Sequence, residues 1–310
     1  MEPSFHSVPT TLPLEVAAMG PIIRDIDEIY AKDKRIKRED VRILKEWLQK
    51  QEHLPQMTET QIIIFLHTCF YSIEQAKANI ESFWTKRTLY YYCFKPLDKE
   101  ELRTNSSVAF IGVLPKPTPQ GYNILLSKLI DVTPEKFDFT KLTRMVDMVA
   151  ALYLNERGPL DGVVIVYDAK GCTFGHLTRI NLDVMKHSTE IIRESIPVRI
   201  KQIHLINAFS LVDKLMGLLK PFLTNELYSL INVHSSLSTF YKYVPQECLP
   251  EEYGGDLPSC QILQKDNLNH MLSSYPFYEW HDSLLVDESK RLEKSTSFGI
   301  DGTFKTLEID

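Results

Sequence analysis

Residues 161–206 read DGVVIVYDAKGCTFGHLTRINLDVMKHSTEIIRESIPVRIKQIHLI, and this stretch decides the fold. Residues 163–167 form a continuous apolar run, which is typical of a strand that is covered on both faces. The spacing of apolar residues then predicts a helix from about residue 177 to 194 and a further strand over 203–206. A strand, a helix and a second strand in succession indicate a βαβ unit and therefore a mainly parallel sheet.

Two more strands precede this unit. Residues 108–114 and 122–129 have the apolar pattern of strands, and the turn-rich PKPTPQG joins them. A helix is predicted from about residue 140, with Leu142, Met145, Val146, Val149 and Leu152 on one face. Taken by pattern alone, this apolar stripe favours a core position over a ligand pocket.

The N-terminal part of the chain is predicted to be helical. Apolar residues between 16 and 29 repeat at helical spacing. Thr58 with Gln61, and Ser72 with Gln75, fit capping boxes, in which side chains satisfy the free amides of a first helical turn. These signals predict a compact helical lobe ahead of the sheet.

Charge and cysteine content exclude several classes of protein. The formal net charge of −6 argues against general nucleic-acid binding, because that function neutralises many phosphates with Lys and Arg. The 5 cysteines are odd in number and never spaced as CxxC, so a disulfide framework or a zinc site is not expected. The N-terminus lacks the pattern of a secretory signal, and no run of about 18 apolar residues predicts a membrane span. We therefore expect a cytoplasmic protein.

Catalytic motifs are absent from the sequence. There is no GxSxG, HxxxH or HExxH, and GCTFG at 171–175 matches neither a dinucleotide nor a phosphate-binding loop. Asp168, His176 and His204 suggest acid/base chemistry, but the favoured interpretation is that Asp168 caps a turn and both histidines bond to backbone. Cys172 has no activating neighbour in sequence. We expect no catalytic residue, metal site or cofactor, and hence not an enzyme.

Two longer segments carry a family resemblance. IPVRIKQIHLINAFSLVDKLMGLLKPFL (196–223) and LPEEYGG (249–255) follow in order, and DGVVIVYDAKG (161–171) matches as a central strand. Together they closely resemble the CRAL-TRIO lipid-binding family, which includes tocopherol and retinaldehyde carriers. The resemblance covers about residues 35–260.

The resemblance implies an α/β fold with a helical N-terminal lobe at 1–100 and a CRAL-TRIO domain at 101–262. That domain should contain about five mainly parallel strands, flanked by helices and closed around an apolar cavity. A mobile lid helix is implied at 209–219, continuing past Pro221. The remaining residues, 263–310, would form a C-terminal extension with a flexible end.

Carried over position by position, the resemblance implies a cavity wall of apolar side chains. These are Met145, Val149, Val163, Ile165, Tyr167, Ile180, Val184, Ile191 and Ile192, with Val212, Leu215 and Leu219 from the lid. Tocopherol-type pockets have small hydroxylated residues on the first cavity helix, where this chain has Met145 and Val149. That difference suggests a bulkier or more apolar wall. The phenol of Tyr167 can bond to a ligand hydroxyl or carbonyl.

Arg199 and Lys201 match two basic positions that contact phosphoinositide headgroups in the family. Further basic positions of that cluster fall on Glu226 and Leu230, and the family's FLRAR signature reads FLHTC here, at 65–69. Phosphoinositide binding is therefore a weaker inference than lipid carriage. The alternative is that Arg199 and Lys201 project into water.

The expected function is that of a monomeric carrier that associates transiently with membranes. It would bind one hydrophobic lipid, such as a retinoid, a tocopherol or another isoprenoid, and exchange it at membranes. A phospholipid- or phosphoinositide-sensing regulatory module without bulk transfer is the alternative.

Overall fold

The computed structural model describes residues 25–208 and 212–291. Most of the helix expected over 16–29, the start of the lid at Phe209 and the end of the C-terminal extension lie outside the described residues.

The N-terminal lobe is helical, as predicted. Of the two capping boxes, that of Thr58 and Gln61 is complete, and at Ser72 the serine oxygen accepts the Gln75 amide. The helices pack around a shared apolar core that includes Ile63. They are α1 Ile26–Lys32, α2 Arg38–Gln49, α3 Glu59–Thr68, α4 Ile73–Leu89 and α5 Tyr91–Phe94.

A single 5-stranded sheet follows the lobe, in the order β1-β2-β3-β4-β5. The strands are β1 Ala109–Val113, β2 Asn123–Leu129, β3 Val163–Asp168, β4 Ile200–Ile206 and β5 Ile231–Val233. β1 pairs antiparallel with β2, and the other pairs are parallel. The expected α/β class with a mainly parallel sheet is confirmed.

Helices cover both faces of this sheet. They are α6 Lys99–Val108, α7 Phe139–Arg157, α8 Phe174–Leu177, α9 Leu182–Glu194, α10 Val212–Leu219, α11 Asn225–Ser229, α12 Leu237–Phe240, α13 Cys260–Ser273 and α14 Tyr275–Asp282. Short 3-10 turns occur at Pro134–Lys136, Lys220–Phe222, Gln246–Cys248, Glu251–Tyr253 and Glu288–Lys290. None of the helices in the described ranges is long and apolar enough to cross a membrane.

Three boundaries differ from or refine the expectations. The helix expected over 177–194 is interrupted, because the Asn181 side chain accepts the amides of Asp183 and Val184 and so starts α9 afresh. The lid breaks at the turn that contains Pro221, as its missing amide proton favours. The domain boundary expected at residue 100 falls inside α6, and the division into three segments stays a prediction.

The two faces of the sheet belong to different cores. Because strand side chains alternate, Val163 and Ile165 of β3 face α7, whereas Val164 and Val166 face the opposite side. On that opposite side, which we call the back face, the cover comes from Phe240, Val244, Cys248, Leu249, Tyr253, Cys260 and Leu263. We call the side toward α7 the cavity face.

Candidate functional site

An apolar cavity of about 500 Å³ lies between the cavity face of the sheet and the helices α7, α9 and α10. The helical lobe closes part of its wall through Phe65, Phe83 and Trp84. Strand residues such as Leu125 and Ile203 form the floor. A space of this size and composition has the character of a site for one small apolar ligand.

Most of the side chains expected to line a cavity do line this one. They are Val163, Ile165, Tyr167, Ile180, Ile191, Ile192, Leu215 and Leu219. The fold brings them together from β3, the segment before α9, α9 itself and α10. The side chain of Val212 lies outside the described residues. Contact of the others with a ligand stays a prediction.

On α7 the expected positions were wrong by one residue. Met145 and Val149 are buried in the core and do not line the cavity, whereas Val146 and Ala150 do. One residue turns a helix by about 100°, so a shift of this size changes the face completely. Thr143 and Ala150 line the wall together with Leu142 and Leu154, and the expectation of a bulkier or more apolar wall stays a prediction. The pattern-based interpretation of this stripe as core was the better one.

Val184 was also misplaced. It is fully buried in the core of the helical lobe, and the cavity side of α9 carries Met185, Ser188 and Ile192 instead. α9 lies between the lobe and the cavity and is apolar toward both. A stripe read from sequence spacing cannot distinguish these two faces, because each looks like a buried helix surface.

Sequence reasoning missed two groups of cavity-lining residues, one in the helical lobe and one at the start of α7. Phe65, Phe83 and Trp84 reach the cavity through contacts between distant parts of the chain, and no local spacing marks them. Phe137 and Phe139 also line it, and their two-residue spacing just before a predicted helix was a signal that could have been used.

Tyr167 is the most exposed side chain on β3, with 40% of its surface accessible. That surface faces the cavity, because Tyr167 lines it. Burial raises the pKa of its phenol above the ordinary value. The Tyr153 hydroxyl accepts a 2.7 Å bond from Asn123 Nδ2, and burial raises the pKa of Tyr153 to about 12. Both phenols therefore stay protonated at neutral pH.

The three sequence signatures meet at one carboxylate. Asp168, at the end of β3, accepts the backbone amide of Lys170 at 2.9 Å, which confirms its role as a turn cap. The same carboxylate accepts the Asn207 side-chain amide at 2.8 Å and the Tyr253 hydroxyl at 2.7 Å. YDAKG, IHLIN and EEYGG thus converge. A side chain at Gly255 is excluded, because a Cβ there would lie 1.9 Å from the Leu249 carbonyl oxygen.

The two histidines considered for catalysis behave differently from each other. His176 Nδ1 accepts the backbone amide of Thr173 at 3.0 Å, as expected for a structural histidine. The expected backbone bond is wrong for His204, which bonds at 2.8 Å to the His234 side chain and at 3.1 Å to the Gln202 side chain. Both histidines of this pair lie on the back face, away from the cavity.

Comparison with protein families agrees with this geometry. Residues 108–255 match the model of the CRAL/TRIO domain. Over these residues the chain is similar to the CRAL/TRIO domain. Residues 33–101 match a Pinta-like, UBA domain, so the helical lobe has a family model of its own. The resemblance drawn from the sequence motifs is confirmed.

Several known proteins are similar to part of this chain. The mouse protein named "Alpha-tocopherol transfer protein-like" is 24% identical over 220 residues, which are 70% of this chain and 64% of the relative. Rat "Clavesin-1" is 25% identical over 151 residues, which are 48% of this chain and 43% of the relative. The match spans less than two thirds of either relative. The solved structure titled "Crystal structure of Sfh5" aligns at a TM-score of 0.43 and 14% identity, covering 66% of this chain and 74% of that one.

Of the two basic residues at the amino end of β4, Arg199 contacts the described residues of the lobe and Lys201 does not. The Arg199 guanidinium lies 4.1 Å from the centroid of the Phe70 ring and donates to the His67 carbonyl. The alternative that Arg199 projects into water is therefore wrong. Lys201 Nζ lies 5.4 Å from the Tyr122 ring, without an ion pair in the described part of the chain. Headgroup binding by these two residues stays a prediction.

Proposed function

We propose that this protein binds one hydrophobic lipid in its cavity and exchanges it at membranes. The observation that supports the proposal is the cavity of about 500 Å³ with an apolar wall, inside a CRAL/TRIO domain. Removing about 300 Å² of ligand surface from water contributes roughly 7 kcal/mol, which is enough for useful affinity.

The proposed mechanism is desolvation without a chemical step. The carboxylate of Asp168 already accepts from three donors, so it is not free to act as a base. Burial raises the pKa of the Cys172 thiol to about 11, which keeps this cavity-lining group in its unreactive protonated form.

The ligand class follows from the size of the space. A cavity of about 500 Å³ suits one isoprenoid such as a retinoid or a tocopherol better than a phospholipid with two long acyl chains. This favours a carrier over a module that senses phospholipids.

Release would proceed through the lid. Leu215, Met216 and Leu219 of α10 line the cavity, so moving this helix opens it. Asn207, which precedes the lid, has a left-handed backbone with φ of 58° that the bond to Asp168 holds. A membrane that takes up the exposed apolar surface lowers the free-energy cost of opening.

The test is to fill the cavity. Ala150→Trp places an indole into the space, and Ala78→Trp makes the same change on an exposed face of α4 as a matched control. We expect retinol binding, followed by native mass spectrometry, and vesicle-to-vesicle retinol transfer to be lost in the first variant and retained in the second. Circular dichroism checks that both are folded. Unchanged binding by folded Ala150→Trp would contradict the proposal.

A further inference from the structure

We propose that Ser127 and Tyr167 form a hydroxyl pair that binds the one polar group of a neutral lipid alcohol or carbonyl compound. The inference rests on the proposed function and specifies the ligand that the cavity takes. It adds a polar subsite to a wall that is mostly apolar.

The pair is built by the sheet register. Ser127 of β2 and Tyr167 of β3 are Cα partners in the parallel ladder, so their side chains lie side by side on the same face. Both line the cavity, and neither hydroxyl has a hydrogen-bond partner within the described residues. Leu125 and Ile165, two residues earlier on each strand, continue the floor as purely apolar surface.

Several other polar side chains of the wall are already engaged. Asn123 bonds to the Tyr153 hydroxyl at 2.7 Å. Arg87 makes two bonds to Asp147, at 2.7 and 2.8 Å, and the Ser188 hydroxyl donates to a backbone carbonyl of its own helix. A ligand oxygen that lies against any of these groups would have to displace an existing bond, whereas Ser127 and Tyr167 need lose nothing.

The charge of the wall selects a neutral ligand. Among the described residues, two cations line the cavity, Arg87 and Lys128. Asp147 neutralises Arg87 through two hydrogen bonds, and Lys128 Nζ lies 5.5 Å from the ring of Tyr253, which belongs to the cover of the back face. An ionised carboxylate or phosphate buried there would lack a free cation, and an uncompensated charge in an apolar space is very costly. A hydroxyl can donate and accept, so the pair suits an alcohol or a carbonyl oxygen equally.

The position of the pair also orients the ligand. Tyr167 is followed by Asp168 at the carboxyl end of β3, whereas Val163 lines the cavity at the other end of the strand. The oxygen-bearing end of the lipid therefore lies at the carboxyl end of the sheet, and the hydrocarbon extends over the apolar floor.

The experiment compares phytol with phytane, which share a branched C20 skeleton and differ in the hydroxyl group and one double bond. Each displaces diphenylhexatriene, a fluorescent hydrocarbon without oxygen, from the full chain. Two hydrogen bonds in a dry site predict about tenfold tighter binding of phytol. In Ser127→Ala/Tyr167→Phe we expect this preference to fall below about twofold, with diphenylhexatriene affinity unchanged. A phytol-to-dihydrophytol comparison separates the contribution of the double bond.

A matched control removes a phenol elsewhere. Tyr243→Phe deletes the same oxygen from a residue that contacts the His204 and His234 rings on the back face, and should keep the tenfold preference. Equal affinity for phytol and phytane in the parent protein, or an undiminished preference in the folded double variant, would overturn the inference alone. Absence of saturable diphenylhexatriene binding would overturn the proposed function as well.

Discussion

The two faces of β3 have similar side chains and different surroundings. On the back face, Val164 and Val166 are 1% and 0% exposed beneath a closely packed cover. On the cavity face, Tyr167 leaves 40% of its surface open to the interior. The same apolar run therefore supplies a packed core on one side and the floor of a cavity on the other.

This difference separates stability from binding within one strand. Dense packing on the back face gains the full contact energy of each side chain, while the cavity face leaves part of that energy to be supplied by a ligand. Truncations on the back face should therefore damage folding, and truncations on the cavity face should mainly affect binding.

The largest effect is expected from Phe240→Ala on the back face. Phe240 is fully buried against the His204 and His234 rings, so its removal leaves a new void and should cost about 3–5 kcal/mol of unfolding free energy. Ile165→Ala, beside the existing cavity, should cost only about 2 kcal/mol, near the low end for such truncations. Urea unfolding of the lipid-free proteins measures both. Equal losses would mean that the two faces are packed alike.

Asp168→Ala should cost about 3 kcal/mol, because it leaves the buried hydroxyl of Tyr253 and the amide of Asn207 without their charged acceptor. Tyr253 belongs to the cover of the back face, and Asn207 precedes the lid. The Asp168 carboxylate therefore links that cover to the segment before the lid. Tyr253→Phe removes one of the bonds and should cost about 1 kcal/mol. Urea midpoints of the two variants test this order, and a smaller loss in Asp168→Ala would contradict it.

Stability should fall in mild acid because of the back face. Burial, together with the neighbouring His234, lowers the pKa of His204 to about 4. The unfolded chain takes up this proton below about pH 6.5 and the folded chain only below about pH 4, so stability is full above 6.5 and decreases as the pH drops through this window. The contribution of His204 is at most about 3 kcal/mol.

Urea midpoints between pH 7.5 and 4.5 measure this effect. His204→Gln cannot titrate there, so the difference between parent and variant should narrow as the pH falls. Burial also lowers the pKa of His67 to about 4. His67 is present in both proteins, so its contribution cancels in the difference between them. A pH-independent difference would show that His204 does not titrate in this range.

The smallest effect is expected at the amino end of β4. Lys201→Ala should weaken binding to vesicles containing phosphoinositide by a few-fold, since one basic residue contributes about 1 kcal/mol near an anionic surface. Arg199→Ala should instead lower unfolding stability, because Arg199 is held against Phe70 and the His67 carbonyl. Vesicle sedimentation and urea unfolding distinguish the two outcomes. Neutral vesicles are the control, and an equal loss on both vesicle types would rule out headgroup recognition by Lys201.

Local signals in the sequence predicted the elements well. The apolar run of β3, the capping box at Thr58 and the break at Pro221 each depend on neighbours within a few residues, and each occurs where expected. The interruption before α9 was missed, although Asn181 is a good N-cap residue, because the apolar spacing continues across it.

The faces of the cavity helices were beyond sequence reasoning. Met145 and Val184 have the spacing of inward-facing residues, but α7 and α9 each contact the core on more than one side. Which apolar stripe borders the cavity depends on the rotation of each helix about its axis, and packing against distant elements sets that rotation.

The sequence by itself determined the helical lobe, the succession of the first four strands, the family resemblance and the motif residues around Asp168, because these depend on local periodicity and on residue identities. Only the tertiary structure decided that YDAKG, IHLIN and EEYGG meet at one carboxylate, that Arg199 turns toward the lobe, and that Ser127 stands beside Tyr167. The physical reason is the same in each case. These contacts join residues far apart in the chain, and strand register and helix packing create them only when the whole domain has folded.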